Sequence, residues 1–153
     1  MRKEITILIL GFFLLIIFVS PISVFWWPWE KRIVKSYYDN LIQEKYQDNY
    51  RLLYLYKESF YDAWEHSNPE ANELYLKKIE ELKKTNYRFL GYDLKFLTED
   101  YVKYAQLTVT VEINGQKKTF TEDVRIKNGN KIWVGCSDDP MKKFRDGQLI
   151  RTK

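Results

Sequence analysis

The sequence predicts an α+β fold in which an N-terminal transmembrane helix precedes helices packed on a curved, four-stranded antiparallel meander. Three observations support this prediction. Residues 5–27 contain no charged side chain, and apolar residues then recur at helical spacing as far as about residue 84. From Tyr87 onward the apolar residues alternate with a period of two. Because each element buries its apolar side on another, helices that precede such a sheet are expected to cover one of its faces.

The charge-free run is long enough to cross a bilayer. It has 23 residues. At a rise of ~1.5 Å per residue such a helix reaches ~35 Å, against a hydrocarbon core of ~30 Å. Trp26, Trp27 and Trp29 follow where the chain would leave the bilayer, and indole rings prefer the headgroup layer. We therefore expect these three side chains to lie at the membrane interface. The alternative is ordinary packing at the start of a folded domain.

The run is expected to remain on the mature chain as a signal anchor. It is longer than the apolar region of about 7–15 residues in cleaved signal peptides, and no small-x-small cleavage site follows it. The two basic side chains in residues 1–4 favour a cytoplasmic N-terminus, which places the domain outside the plasma membrane. Lys31, Arg32 and Lys35 on the other side leave the reverse topology open.

Residues 28–140 are expected to form the folded domain, and its first half is predicted to be helical. Val34, Tyr37, Tyr38 and Leu41 follow three-and-four spacing, which places them on one apolar stripe. This stripe predicts the first helix of the domain.

Two further helical segments are predicted. Residues 50–64 continue as an aromatic-rich run at helical spacing after a polar break. Asn68 and Pro69 then predict a new helix, since asparagine caps helix starts and proline suits the first turn.

The second half of the domain is predicted to be a sheet. In the first strand Leu90, Tyr92, Leu94 and Phe96 fall on one side, and the strand over residues 101–113 shows the strongest alternation. Asn-Gly pairs follow at positions 114–115 and 128–129, and this dipeptide tolerates the positive φ of a two-residue hairpin turn. The pattern therefore predicts four strands joined as a meander.

This order of elements resembles a known superfamily. A first helix with a Tyr37-Tyr38 step, a polar break near Asp48 and a meander ending in the strand Lys131–Val134 are similar to the cystatin-like, nuclear-transport-factor-2-like superfamily over roughly residues 31–137. The resemblance implies a cone in which helices cover a bent sheet around a cavity. With one membrane anchor, the chain also resembles assembly proteins of type IV secretion systems and small anchored envelope proteins.

Such cavities often hold catalytic carboxylates, and five residues are candidates for lining one here. Asp62 and His66 would share one helix face, as a carboxylate–imidazole pair for proton transfer. Tyr92, Tyr101 and Tyr104 would add hydrogen-bond donors. The alternative is that His66 is a surface residue near a helix end and that the tyrosines are packing residues.

Composition argues against other site classes. One histidine and one cysteine exclude a multi-histidine metal site and an internal disulfide, and no cofactor or metal is expected. Cys136 is expected to be a buried small hydrophobe, because no second histidine is present to activate it. Asp138 and Asp139 either meet a cation or form a polar turn at a strand end.

Net charge is confined to the end of the chain. Residues 31–140 are neutral, whereas the tail 141–153 carries +4. A nucleic-acid partner is therefore not expected, since binding phosphates needs a basic face. The tail is expected to be a solvated terminus, or alternatively to lie on anionic headgroups.

These observations predict a non-enzymatic binding or assembly module of the bacterial cell envelope. Its expected partners are the lipid bilayer, through residues 5–27, and an envelope protein or a second copy of the chain. Aromatic side chains make up 17% of the sequence, and they are the residues that interfaces favour. The alternative is a membrane-tethered cavity enzyme or small-ligand carrier that uses Asp62 and His66.

Overall fold

The computed structural model describes residues 26–57, 59, 61–127 and 130–149. In chain order the elements are α1 (Pro28–Ile42), α2 (Tyr46–Leu52), α3 (Pro69–Lys84), β1 (Tyr87–Glu99), β2 (Val102–Ile113), β3 (Gln116–Lys127), β4 (Lys131–Ser137) and α4 (Lys142–Arg145). The predicted α+β class, with helices before a four-stranded antiparallel sheet, is confirmed.

The predicted transmembrane segment lies almost wholly outside the described residues. Only its last two residues, Trp26 and Trp27, are described; neither is helical, and α1 starts at Pro28. In the part of the chain that the structure covers, no helix is both long enough and apolar enough to cross a membrane.

The sheet is a meander in the order β1-β2-β3-β4, with every pair antiparallel. Asn114 and Gly115 join β2 to β3 with φ of 51° and 78°, as the dipeptide predicts. Asp100 and Tyr101 join β1 to β2 and also have positive φ, 47° and 64°. The other predicted turn, at residues 128–129, lies outside the described residues.

One face of the sheet is buried under the helices. Its inner residues on β2 are buried, and the apolar stripe of α1 belongs to the same core, where Tyr38 packs on Phe89 of β1. A bulge between Phe89 and Gly91 shifts the alternation in β1. Leu90 therefore does not continue the inward series as predicted, and Tyr87 and Phe89 are the buried residues at that end of the strand.

The helix predicted over residues 50–64 is wrong beyond the end of α2. The following segment is extended: Tyr54 N donates to the carbonyl of Ile132 at 2.7 Å, and Tyr56 N donates to that of Gly147 at 2.9 Å. Carbonyl groups of β4 and of the chain after α4 therefore accept the backbone hydrogen bonds of this segment, as a neighbouring strand would. These long-range hydrogen bonds override the local helical spacing.

The start of α3 is confirmed. The Asn68 side chain accepts a hydrogen bond from the backbone N–H of Glu70 at 2.9 Å, and Pro69 occupies the first turn. The inward stripe of α3 consists of Ala71, Tyr75, Ile79 and Leu82.

Residues 141–149 belong to the folded domain, so the expectation of a solvated tail is wrong for them. Arg145, Asp146 and Leu149 are buried. The Lys78 ammonium of α3 lies 2.8 Å from Asp146 Oδ1. Because carboxylates compensate the buried charge, basic composition here does not mean exposure. The rest of the tail lies outside the described residues.

Candidate functional site

A guanidinium with no solvent exposure lies between the helices and the sheet. Arg145 Nη2 is 2.6 Å from Glu122 Oε2 and 2.9 Å from Asp139 Oδ2. Arg145 Nη1 also donates to Glu122 Oε1 at 3.2 Å. We call these three residues, together with Tyr38 and Tyr87, which bind the two carboxylates, the Arg145 cluster.

The two tyrosines of the cluster come from different layers. Tyr38 on α1 donates its hydroxyl to Glu122, and Tyr87 on β1 donates to Asp139 Oδ2 at 2.8 Å. Burial raises the pKa of both tyrosines well above its ordinary value. Both hydroxyls therefore stay protonated and act as donors to the carboxylates.

The Arg145 cluster is saturated with internal hydrogen bonds. All four carboxylate oxygens of Glu122 and Asp139 accept at least one hydrogen bond. Burial alone would lower the pKa of Arg145, but the adjacent Glu122 charge raises it, so the cation persists. Tyr37 adds a bond from its hydroxyl to the Arg145 carbonyl at 2.9 Å. The cluster therefore joins α1, β1, β3 and α4, and its internal bonds occupy both carboxylates.

Sequence reasoning missed this cluster, although one signal points to it. Glu122 falls in the inward phase of β3, between Phe120 and Val124. A carboxylate at such a position needs a cation. Of the two carboxylates at the end of β4, Asp139 does meet a cation, which is Arg145. Its neighbour Asp138 accepts a hydrogen bond from Thr121 at 2.6 Å.

The predicted carboxylate–imidazole pair does not form. Asp62 and His66 lie in the irregular segment before α3 rather than on one helix face, and neither a hydrogen bond nor an ion pair joins them. His66 Nε2 instead lies 2.9 Å from the Leu53 carbonyl oxygen. Burial lowers the pKa of His66, and the charge of Lys131 lowers it further.

His66 does border a groove. This groove has a volume of about 450 Å³ and also contacts Gln47, Tyr50, Arg51, Asn68 and Asn72. The groove is open and polar and has room for a small ligand. The Asp62 carboxylate, which was the expected proton-transfer partner, does not lie beside the His66 imidazole.

The three candidate tyrosines do not share a cavity. Tyr92 faces α1, where its hydroxyl donates to Asp39 Oδ1 at 2.9 Å, and burial raises its pKa to about 12. Tyr101 is 79% exposed at the β1–β2 turn. Tyr104 lies on the opposite face of the sheet from the helices and bonds to Glu99.

The three tryptophans of the predicted interface belt divide into two groups. Trp26 packs on the sheet: its Nε1 donates to the Leu97 carbonyl at 2.9 Å, and its ring lies 4.8 Å from that of Phe96. Trp27 and Trp29 are 44% and 43% exposed. Ordinary packing therefore describes Trp26, whereas the other two indoles face outward.

Apolar side chains from the start of α1 and from the β1–β2 hairpin lie at the same end of the molecule. Trp26, Tyr101 and Val102 line the same depression of about 270 Å³. We call Trp26, Trp27 and Trp29, together with Tyr101 and Val102 of the β1–β2 hairpin, the tryptophan end.

Among the residues described, no group of three or more histidine, cysteine, aspartate or glutamate side chains is arranged to hold a metal ion.

Cys136 is a free, exposed thiol, so the expectation of a buried small hydrophobe is wrong. The bulge between Glu122 and Val124 is the reason. It pairs Ser137 with Glu122 on the inner face and thereby turns Cys136 outward.

No protein-family model, curated protein or solved structure shows significant similarity to this chain. The cystatin-like resemblance therefore stays a prediction.

Proposed function

We propose that the chain is a single-pass membrane protein whose α+β domain is a non-enzymatic binding or assembly module on the extracytoplasmic side of a bacterial envelope. The observation that carries the proposal is the packing of the end of the charge-free run on the domain. Trp26, the second-last residue of the charge-free run, is bound to Leu97 and packs on Phe96. If residues 5–27 span the bilayer, the packing of Trp26 on the sheet holds the domain close to the membrane surface.

The arrangement of polar groups supports a non-catalytic role. The Arg145 cluster uses its carboxylates internally, and Asp62 is not paired with His66. General acid–base catalysis needs donor and acceptor within hydrogen-bond reach of one substrate position. The partner class that we propose is another envelope protein or a second copy of the chain, because exposed tyrosine and tryptophan side chains favour binding.

Two measurements on the full chain test this proposal. Two reporters are fused after Lys153, one that is active only in the cytoplasm and one that is active only outside it. Only the second is expected to be active. Carbonate washing is expected to leave the chain in the membrane fraction. A matched variant, Leu14→Lys with Ile17→Lys, is expected to lose membrane integration, since each charge at a helix centre costs about 3 kcal/mol. A parent chain that washes off, or a reporter active only in the cytoplasm, would overturn the proposal.

The groove at His66 supports a second candidate function, a small-ligand carrier or enzyme. Its volume of about 450 Å³ lies in the range typical of ligand sites. His66→Ala distinguishes the two functions: loss of function with an unchanged melting profile would favour the groove, and unchanged function would favour the binding module. Asp62→Ala is the matched control outside the groove lining.

A further inference from the structure

The tryptophan end concentrates exposed apolar surface. In the described residues seven large hydrophobic side chains are exposed, and four of them are Trp27, Trp29, Tyr101 and Val102. The first two are next to Trp26 in the chain, and the last two line the same depression as Trp26. Two segments far apart in sequence therefore present aromatic and aliphatic groups at the point where the charge-free run joins the domain.

The β1–β2 turn carries a bulky side chain in an unfavourable backbone conformation. Two-residue hairpin turns of this kind prefer Asn-Gly, and the β2–β3 turn at Asn114-Gly115 follows that rule. At the tryptophan end the same position holds Tyr101, with φ of 64° and 79% of its surface exposed. An aromatic residue with positive φ is an outlier, and such strain is typical of functional positions.

The charges at this end leave only a small basic excess, to which Lys31 contributes from its position over the Phe96 ring next to Trp26. Lys103 forms an ion pair with Glu30 at 2.6 Å, and Arg125 and Lys127 lie close by. Glu99 and Asp100 flank the turn with negative charge. Attraction to anionic lipid is therefore weak here, and aromatic burial in the headgroup layer is the main contribution to any membrane contact.

We propose that the β1–β2 hairpin is a second membrane contact: Tyr101 and Val102 insert into the headgroup layer of the bilayer that carries the anchor. This inference rests on the proposed function, because the anchor brings the tryptophan end to the bilayer. When the start of α1 and the hairpin both lie at the membrane surface, β2 points away from the bilayer. At ~3.3 Å per residue, its 12 residues hold the β2–β3 turn roughly 40 Å from the hairpin tip.

The experiment places an environment-sensitive fluorophore at each end of β2. The full chain carrying Cys136→Ser is reconstituted in phosphatidylcholine vesicles, with Tyr101→Cys or, as the matched control, Asn114→Cys as the single labelling site. Val102→Cys serves as a second reporter if a circular dichroism melt shows that labelled Tyr101→Cys does not fold. The label at Tyr101 is expected to shift to the blue and to be quenched severalfold more strongly by headgroup-level spin-labelled lipid than the label at Asn114. Adding phosphatidylglycerol is expected to change this little.

Each contrary outcome has a distinct meaning. If both labels are equally open to aqueous iodide while the chain still floats with the vesicles, the hairpin contact is overturned and the anchor stands. If the Tyr101 label is shielded without lipid quenching, and the shielding rises with the protein-to-lipid ratio, the hairpin contacts a second copy instead. If the parent chain does not float, the proposed function fails as well.

Discussion

Arg145 binds Glu122 through both terminal nitrogens, with Nη2 2.6 Å from Oε2 and Nη1 3.2 Å from Oε1, and neither side chain is exposed. Two-point pairing of a guanidinium with a carboxylate fixes orientation as well as distance. The pair therefore sets how α4 docks on β3.

Arg145→Met is expected to lower the free energy of unfolding by about 3–5 kcal/mol, because it leaves two buried carboxylates without a cation. Urea denaturation measures the change. Lys143→Met, at an exposed position of the same short helix, is the matched control, with an expected change within about 0.5 kcal/mol. Equal effects of the two substitutions would mean that the cluster does not stabilise the domain.

Two buried tyrosines are expected to respond oppositely to loss of the hydroxyl. Tyr38→Phe removes a donor to a buried carboxylate and should cost about 2 kcal/mol. The Tyr75 hydroxyl is buried with no hydrogen-bond partner among the described residues. Tyr75→Phe should therefore raise the free energy of unfolding by up to about 1 kcal/mol. Thermal or urea melts of both variants check this, and a Tyr75→Phe variant as unstable as Tyr38→Phe would contradict it.

Gly147→Ala is expected to be strongly destabilising, by about 3 kcal/mol or more. A Cβ at this position would lie 1.9 Å from the Tyr54 carbonyl oxygen, a backbone atom that cannot move without breaking the neighbouring hydrogen bonds. Gly91→Ala is the matched control, because a Cβ there meets nothing within 4 Å. Its expected effect on urea denaturation is close to zero; a large effect at Gly91 or none at Gly147 would refute the packing.

His66 gives stability a pH dependence whose sign follows from its lowered pKa. The unfolded chain takes up the proton first as pH falls below 6.5, so the stability due to the neutral imidazole is full above that pH. It is lost as pH falls toward the folded pKa. His66→Gln is therefore expected to show a smaller drop in urea midpoint between about pH 7.5 and about pH 5 than the parent. Asp62→Asn changes an exposed residue and is expected to leave the contribution of His66 to the drop in urea midpoint unchanged. Identical profiles for His66→Gln and the parent would exclude this contribution.

Local chemistry was sufficient to predict the strands, the start of α3 and the buried face of α1. The Asn114-Gly115 turn, the Asn68 cap and the apolar stripe of Tyr37 and Tyr38 each depend on neighbours within a few residues, and all three are confirmed. Such features follow from short-range sterics and hydrogen bonding. The sheet order followed from them, because short turns leave few ways to join consecutive strands.

Long-range partners account for what the sequence did not predict. Leu53 and Tyr56 fit a helical spacing, yet both are buried in an extended segment beside β4 and the chain after α4. In the sequence, Arg145 is one of several basic residues in a polar tail. Its buried position follows from its ion pairs with Glu122 and Asp139, which are distant in the sequence or on another element. The predicted pair of Asp62 and His66 was wrong for the same reason. It assumed a helix through both residues, but tertiary hydrogen bonds hold this segment in an irregular conformation.

The bond from the Tyr37 hydroxyl to the Arg145 carbonyl spans 108 residues. Individual helices and hairpins can appear early during folding, but the layer between them cannot become dry until both ends of this span have met. We therefore expect the carboxylates to stay hydrated until α4 arrives, so that the last step of folding is the expulsion of water from beneath the first helix.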